Sequence, residues 1–204
     1  MHVFIVYAHP SEDSFTRHVR DSFIAGLESE GHSYTVSDLY KMGFVTDMSE
    51  AEYLREAYYR ADLSAPPDVL AEQEKINRSD AIVFIYPVFW TEAPAKLVGW
   101  FDRVWTYGFA YGESGGKGRS MKQLETGLVI CVAGNTMPYF NETGLLESMK
   151  KVMLNDRLFD RVKSKGFIVL DGMSREFKSR DTNWEPYLER VFEAARGISK
   201  RNGR

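Results

Sequence analysis

The chain has 204 residues, of which 44% are hydrophobic and 27% are charged, and this composition argues against intrinsic disorder. The formal net charge of −3 argues against nucleic acid as the main partner, and the single cysteine, Cys131, excludes an internal disulfide and a cysteine metal cluster. No apolar run approaches the roughly 18 residues of a membrane span, so a cytoplasmic protein is expected. The length fits one compact domain at residues 1–199 with a basic tail at residues 200–204.

Strands and helices are predicted to alternate along the chain. In chain order, the apolar patterns predict a strand at residues 2–8, a helix at 15–27, a weaker edge strand at 34–39, helices at 49–60 and 68–78, a strand at 81–86, a helix at 93–105, a strand at 127–133, a helix at 144–154, a strand at 166–170 and a helix at 184–199. This alternation is typical of an α/β fold. It predicts a doubly wound, five-stranded parallel sheet with helices on both faces.

The loop after the first predicted strand places several hydrogen-bond donors just ahead of a helix: His9, Ser11, Ser14 and Thr16. It contains neither G-x-G-x-x-G nor a Walker lysine, which disfavours a Rossmann dinucleotide site and a P-loop NTPase. Ligands of open parallel sheets bind outside the carboxyl ends of the strands, and helix N-termini bind anions. The loop therefore predicts a phosphate site. The alternative is that Ser11 or Ser14 only caps the helix.

An aromatic pair, Phe89 and Trp90, lies between Pro87 and Pro94 after the next long apolar run. The two prolines predict a stiff, apolar turn at the mouth of a pocket. Backbone groups of such a turn can follow the edge of a flat heterocycle while Trp90 covers one face. The alternative is that both aromatic rings are buried against neighbouring helices.

The remaining candidates are weaker when taken alone. Gly134 would let the backbone approach a ligand closely and Tyr139 could present a hydroxyl to a reacting group, but Gly–Asn loops are also common turns. Asp102 falls on the polar face of a predicted helix, where solvation is the ordinary role. The four histidines lack metal-ligand spacing and no G-x-S-x-G is present, so neither a metal site nor a serine hydrolase is expected.

Several motifs together resemble a known family. They are A-H-P-S at residues 8–11, S-D-L-Y-K-M at 37–42, A-E-Q at 71–73 and the long block PVFWTEAPAKLVGWFDRVWTYGFAYG at 87–112. In sequence and spacing they resemble the NAD(P)H:quinone oxidoreductase family, the DT-diaphorase-like branch of the flavodoxin-like flavoproteins. The resemblance implies a flavodoxin-like fold and a flavin cofactor, FAD or FMN.

Position by position, the resemblance also implies site residues. The flavin phosphate region corresponds to His9, Ser14, Phe15 and Thr16, the loop along the isoalloxazine to Pro87, Val88, Phe89, Trp90 and Thr91, and the segment beside the flavin to Ala133, Gly134 and Asn135. Asp102 corresponds to an acidic position near the outer end of the flavin, and Tyr139 to the catalytic tyrosine. The implied substrate pocket comprises Trp90, Phe109 and Tyr111, the last two acting across a homodimer interface.

The sequence departs from the family at three points. The family's T-T-G-G segment is V-A-G-N here, so two hydroxyl contacts are replaced by backbone contacts at most. No histidine follows Tyr139 within residues 141–147, and Phe89 stands where relatives often have glutamine. These departures concern the acceptor and the proton path more than the binding of the flavin.

The function expected from these residues is that of a homodimeric flavin-dependent oxidoreductase. It passes hydride from NADH or NADPH to the flavin and then to a quinone-like acceptor, with ping-pong kinetics. The alternatives are a regulatory flavoprotein subunit of a potassium-efflux system, an azo or nitro reductase of the same fold, and an electron-carrier flavodoxin. The sequence leaves open FMN against FAD, NADH against NADPH, and the identity of the acceptor.

Overall fold

The computed structural model describes residues 1–113, 116 and 118–199, so the predicted basic tail at residues 200–204 lies outside the described residues. The described strands are β1 (His2–Tyr7), β2 (Ser33–Asp38), β3 (Ala81–Pro87), β4 (Leu124–Val132) and β5 (Val162–Leu170). They pair in parallel in the order β2-β1-β3-β4-β5, which reverses direction between β1 and β3. The predicted doubly wound, five-stranded parallel sheet is confirmed.

The strand boundaries follow burial. Every residue of β3 is buried, and its predicted apolar run matches the observed strand to within one residue. In contrast, β4 and β5 begin at Leu124 and Val162, earlier than the predicted 127 and 166. Their first residues include Glu125 and Lys163, which form a side-chain pair at 2.6 Å, and such charged residues interrupt the apolar pattern at this edge of the sheet.

The described helices are α1 (Phe15–Ser29), α2 (Glu50–Ala57), α3 (Pro67–Arg78), α4 (Ala95–Val104), α5 (Met137–Glu142), α6 (Leu145–Lys150) and α7 (Ser179–Arg196). Short α5 was not predicted. The single helix predicted at residues 144–154 is α6 followed by a π-helical segment, Lys151–Leu158. Helix α7 begins at Ser179 rather than at 184, because its first turns are polar and carry little apolar periodicity. Among the described residues, none of the helices is long and apolar enough to span a bilayer.

Helices cover both faces of the sheet. One face packs against α3 and α4 around the fully buried Trp100, and the other packs against α1 and α7 around Phe23 and Val191. Helices α1 and α7 approach so closely at Gly26 that a Cβ atom there would lie 2.4 Å from the Phe192 carbonyl oxygen. Only glycine permits this contact, which holds α1 against α7.

Candidate functional site

A cleft of about 770 Å³ opens at the carboxyl ends of the strands. It lies where the strand order reverses, as expected for an open parallel sheet. Its walls come from the loops after β1, β3, β4 and β5 and from α7: His9, Ser11, Asp13, Ser14, Phe15, Thr16, Pro87, Val88, Phe89, Val132, Gly134, Met173, Ser174, Arg175, Arg180 and Trp184. The structure therefore brings together most of the residues predicted to bind a cofactor.

Ser14 is the N-cap of α1. Its backbone is extended and its Oγ accepts a hydrogen bond from the Arg17 N–H at 3.1 Å. The capping role considered for this serine is therefore present in the structure. The N–H groups of Phe15 and Thr16, the first two of the helix, have no carbonyl partner within it and lie in the wall of the cleft. These N–H groups form the positive end of the helix dipole, where an anion can be bound.

His9 lies in the wall of the cleft beside the start of α1. Its Nδ1 is within hydrogen-bonding distance of the Ser11 carbonyl oxygen, at 2.9 Å, and of the Ser11 N–H, at 3.0 Å, so the ring is held by its own loop. Burial lowers the pKa of the imidazole below its ordinary value, which favours the neutral form. His9 therefore brings an uncharged imidazole to the cleft.

Tyr7 contributes a buried hydroxyl beneath this loop. Its side chain ends β1 and is only 2% exposed, and its Oη has no hydrogen-bond partner among the described residues. The Arg20 guanidinium lies 4.6 Å from the centre of the ring. Burial raises the pKa of the Tyr7 phenol, so the group is a proton donor at neutral pH.

The turn after β3 is tight and left-handed. The Phe89 N–H donates to the Glu92 carbonyl at 2.8 Å and the Glu92 N–H donates back at 2.9 Å, with Trp90 and Thr91 between them at φ of 50° and 66°. A β-branched residue such as Thr91 is strained in this region. The Val88 N–H is likewise taken by the Val132 carbonyl at 2.8 Å. The N–H groups of Val88 and Phe89 are thus already used, so the proposed contacts from this loop to a heterocycle must come from other groups.

The same turn divides two cavities. Phe89 is 46% exposed and lines the cleft, whereas Trp90 and Thr91 line a second cavity of about 240 Å³ on the other side of the turn. We call the second cavity the Trp90 niche, lined by Tyr86, Trp90, Thr91, Glu92, Ser148, Met149, Val152 and Met153. Trp90 is fully exposed, so neither its burial against a helix nor its placement inside the cleft is found in the single chain.

The segment after β4 borders the cleft with backbone. A Cβ atom on Gly134 would meet only the Ser174 Cβ within 4 Å, at 3.7 Å, so the space beside Gly134 is open toward the cleft. The buried Ala133 and the exposed Asn135 are tied to the loop after β5, because the Met173 N–H donates to the Ala133 carbonyl and the Gly172 N–H donates to the Asn135 carbonyl. The two loops form one rigid wall.

Asp171 extends this wall to α5 and α7. One of its carboxylate oxygens accepts the Met137 N–H at 2.7 Å, at the first position of α5, and the other accepts the Tyr187 hydroxyl of α7 at 2.8 Å. Burial and the Asp171 carboxylate raise the pKa of the Tyr187 phenol to about 12. The helix that carries Tyr139 is therefore held by a residue that sequence reasoning did not single out.

Trp90 and Thr91 line the Trp90 niche instead of the cleft, and Ala133 and Asn135 are not among the residues that line the cleft. Four more predicted residues also lie outside the cleft of this chain. Tyr139 is 44% exposed on α5, and Asp102 is exposed on the outer face of α4. Phe109 is buried within its own chain, and the Tyr111 hydroxyl donates to Glu56 at 2.9 Å. The roles of these residues remain predictions.

Sequence reasoning missed the wall formed by Arg175, Arg180 and Trp184, which we call the arginine–tryptophan wall. The Trp184 ring contacts Phe15 at 4.5 Å and His18 at 5.3 Å between centroids, and the Arg180 guanidinium lies 5.0 Å from the same ring. The loop after β5 could have been singled out from the sequence, because ligands bind outside the carboxyl ends of all parallel strands in such a sheet.

The fold and the cleft define a class of protein. A doubly wound sheet with a free helix N-terminus and apolar walls at its carboxyl edge is the arrangement typical of proteins that bind phosphorylated, flat cofactors. Comparison with known proteins then gives the family. The chain belongs to the family of proteins with the flavodoxin-like fold, which matches residues 1–193.

Its relatives confirm the resemblance found in the sequence. The chain is 32% identical over 158 residues to human ribosyldihydronicotinamide dehydrogenase [quinone], a match that covers 70% of this chain and 68% of that protein. A ribosyldihydronicotinamide dehydrogenase-like protein of Penicillium crustosum is 36% identical over 126 residues, but the match spans 46% of its length. Among solved structures, an NAD(P)H:quinone oxidoreductase from Methanothermobacter marburgensis is 45% identical, with a TM-score of 0.90 and coverage of 98% of this chain and 97% of that one.

Proposed function

We propose that this protein is a flavin-dependent oxidoreductase that uses NADH or NADPH to reduce a quinone-like acceptor. The observation that carries the proposal is the cleft, where an anion-binding helix N-terminus and an apolar wall of Pro87, Val88 and Phe89 share one space of about 770 Å³. A flavin needs both, because it is a flat ring joined to a phosphate. The similarity to quinone oxidoreductases at 32% and 45% identity supports the same function.

The residues present fit a flavin. The N–H groups of Phe15 and Thr16 and the imidazole of His9 lie near one end of the cleft, where a phosphate would bind. At the other end, Gly134 leaves open the space that a Cβ atom would fill. A planar ring between Gly134 and Phe89 would meet backbone on one side and an apolar side chain on the other.

When bound, the flavin accepts hydride from the reduced nicotinamide and passes the electrons to the acceptor. The chain's own residues bind, orient and exclude water. Phe89 and Val88 keep solvent from one side of the slot, and the paired loops after β4 and β5 hold Gly134 and Asn135 rigid. Stacked rings exchange hydride without an acid–base dyad, so the missing family histidine does not count against activity.

Tyr139 is our candidate for stabilising negative charge on the acceptor. It lies near the start of α5, which Asp171 fixes through the Met137 N–H. Its ring is partly exposed, so a ligand that extends out of the cleft can reach it without a rearrangement of the core. A phenol donor aimed at developing charge stabilises the transition state more than the ground state.

We propose FAD rather than FMN as the flavin. The support is the arginine–tryptophan wall, which adjoins the phosphate loop through the contact between Trp184 and Phe15. Arg175 and Arg180 offer cationic donors to a second phosphate, and aromatic or guanidinium faces suit an adenine ring. A single phosphate would use the α1 N-terminus and leave this wall without a ligand.

We further propose that the active protein is a homodimer. Exposed aromatic side chains are unusually frequent on one chain: Tyr53, Tyr58, Tyr59 and Trp90 are 60%, 71%, 65% and 101% exposed. Such clusters are typical of interface cores. Of the two residues expected to reach the partner's pocket, Tyr111 is 38% exposed whereas Phe109 is only 5% exposed, so Tyr111 is the one with ring surface to offer.

The test of the cofactor is direct. The purified protein should show a flavin absorption spectrum, and chromatography of the heat-released cofactor should give FAD. Release of FMN alone would overturn the assignment of the arginine–tryptophan wall, and a colourless protein that binds neither flavin would overturn the proposed function. Light scattering at micromolar concentration should give twice the 23.4 kDa chain mass, and a monomer with flavin bound would contradict the dimer.

A further inference from the structure

The Trp90 niche is a separate cavity that the flavin does not use in the proposal above. It shares no lining residue with the cleft, yet the two cavities flank the same four-residue turn from Phe89 to Glu92. Phe89 faces the cleft and Trp90 borders the niche. A ligand that extends from the cleft across this turn therefore meets the niche next.

The far wall of the niche is built by the rarest helix type in the molecule. Val152 and Met153 belong to the π-helical segment Lys151–Leu158, at whose end the Phe159 N–H donates to the Leu154 carbonyl, five residues back, at 3.1 Å. π-Helical turns are energetically poor and occur mostly at functional sites. Here the segment supplies one side of a cavity instead of filling it with core.

The chemistry of the lining selects an uncharged ligand. The Glu92 carboxylate is engaged by the Ala93 N–H at 2.7 Å and by the Arg157 guanidinium at 3.1 Å. Arg157 also lies against the Met153 sulfur at 3.3 Å. The rest of the lining combines the hydroxyl groups of Tyr86, Thr91 and Ser148 with the larger apolar surfaces of Trp90, Val152, Met149 and Met153. Methionine side chains adapt readily to apolar ligands of varied shape. A charged group would find no uncompensated partner in this lining.

We propose that the Trp90 niche binds the apolar alkyl or prenyl substituent of the quinone-like acceptor, while the quinone ring occupies the cleft side of the Phe89–Glu92 turn. This inference rests on the proposed function and names its substrate class as substituted, not bare, quinones. The cavity of about 240 Å³ equals the liquid volume of roughly eight waters, which suits one prenyl unit. It also gives the fully exposed Trp90 a role, as the rim over which the substituent passes.

The kinetic test compares two acceptors that differ only in the substituent: 2,3-dimethoxy-5-methylbenzoquinone and the same ring bearing one prenyl unit. Val152→Phe fills the niche, and Asn155→Phe is the matched control, since Asn155 is exposed on the same π-helical segment outside the lining. The ratio of kcat/KM for the prenylated to the bare quinone should fall at least tenfold in Val152→Phe, equivalent to about 1.4 kcal/mol. It should stay within about twofold of wild type in Asn155→Phe.

An equal ratio in wild type and Val152→Phe would overturn the proposal.

A second measurement needs no turnover: methionine methyl groups labelled with 13C are followed by NMR while a redox-inert prenylated hydroquinone dimethyl ether is added to the flavin-loaded protein. Met149 and Met153 methyl signals should shift with the prenylated compound and not with its bare analogue. Unchanged signals would contradict the niche assignment. Shifts of these methyl signals in a protein that reduces no quinone would contradict the proposed function but support the proposed binding site.

Discussion

Substitution of Ser14 separates helix capping from phosphate binding. Ser14 Oγ caps α1 through the Arg17 N–H, and aspartate caps a helix about as well as serine. Ser14→Asp should therefore leave the stability of the flavin-free protein nearly unchanged, while placing a carboxylate beside the N–H groups assigned to the phosphate. Ser14→Ala is the matched comparison, because it removes the cap and adds no charge. Loss of the cap should lower the free energy of unfolding by about 1 kcal/mol.

The magnitude for Ser14→Asp follows from Coulomb's law. Two like unit charges about 5 Å apart, at an effective dielectric constant of about 20, repel by about 3 kcal/mol. This repulsion corresponds to roughly a 150-fold weaker flavin affinity. Quenching of flavin fluorescence on titration with the flavin-free variants gives the affinity, and thermal unfolding gives the stability. If Ser14→Asp binds flavin as tightly as wild type, the phosphate does not bind at the start of α1.

Three further outcomes are expected. Gly134→Ala should leave the stability within about 1 kcal/mol of wild type, because the new Cβ atom would make an ordinary 3.7 Å contact with Ser174. The same substitution should weaken flavin binding measured by fluorescence, and unaltered binding would show that no flavin ring lies beside Gly134. Trp90→Ala should not lower the melting temperature, because the ring is fully exposed, but should slow reduction of a prenylated quinone in stopped-flow measurements by roughly tenfold while leaving the nicotinamide half-reaction unchanged. Equal slowing of both half-reactions, or a loss limited to stability, would contradict its place outside the cleft. The Tyr187 phenol has a pKa of about 12 in the folded chain against 10.0 in its ordinary state, so its contribution to stability is complete below pH 10 and is lost between pH 10 and pH 12. Wild type should lose stability faster than Tyr187→Phe over that interval in urea unfolding, and parallel curves would refute the assigned bond to Asp171.

The sheet could be predicted because strands that are buried on both faces have nearly continuous apolar sequences. All of β3 is buried, and its boundaries were found to within a residue. The start of β5 was not, because Lys163 and Lys165 alternate with other residues on an edge strand. The π-helical segment was also missed, since periodicity at 3.6 residues per turn cannot distinguish it from a continued α-helix.

The site residues could be predicted where a loop follows a strand. The prediction failed where a residue's role depends on tertiary contacts. His9, Ser14 and Phe89 come together at one cleft because parallel strands share one carboxyl edge. The Asp171 bridge between α5 and α7 is invisible in sequence, since its partners lie 34 and 16 residues away. Trp90 and Tyr111 lie outside the cleft of this chain, and apolar periodicity does not specify where a side chain on a turn or loop is placed.

Steady-state kinetics of the flavin-loaded protein tests the central claim most directly. Oxidation of NADH or NADPH is followed by the loss of nicotinamide absorbance while both the nicotinamide and a quinone are varied. Turnover with parallel double-reciprocal lines is expected, because in the proposed mechanism nicotinamide and acceptor take turns in one slot over the flavin. Intersecting lines would contradict the shared slot. A flavin-loaded protein that oxidises neither nicotinamide with any quinone would contradict the proposed function.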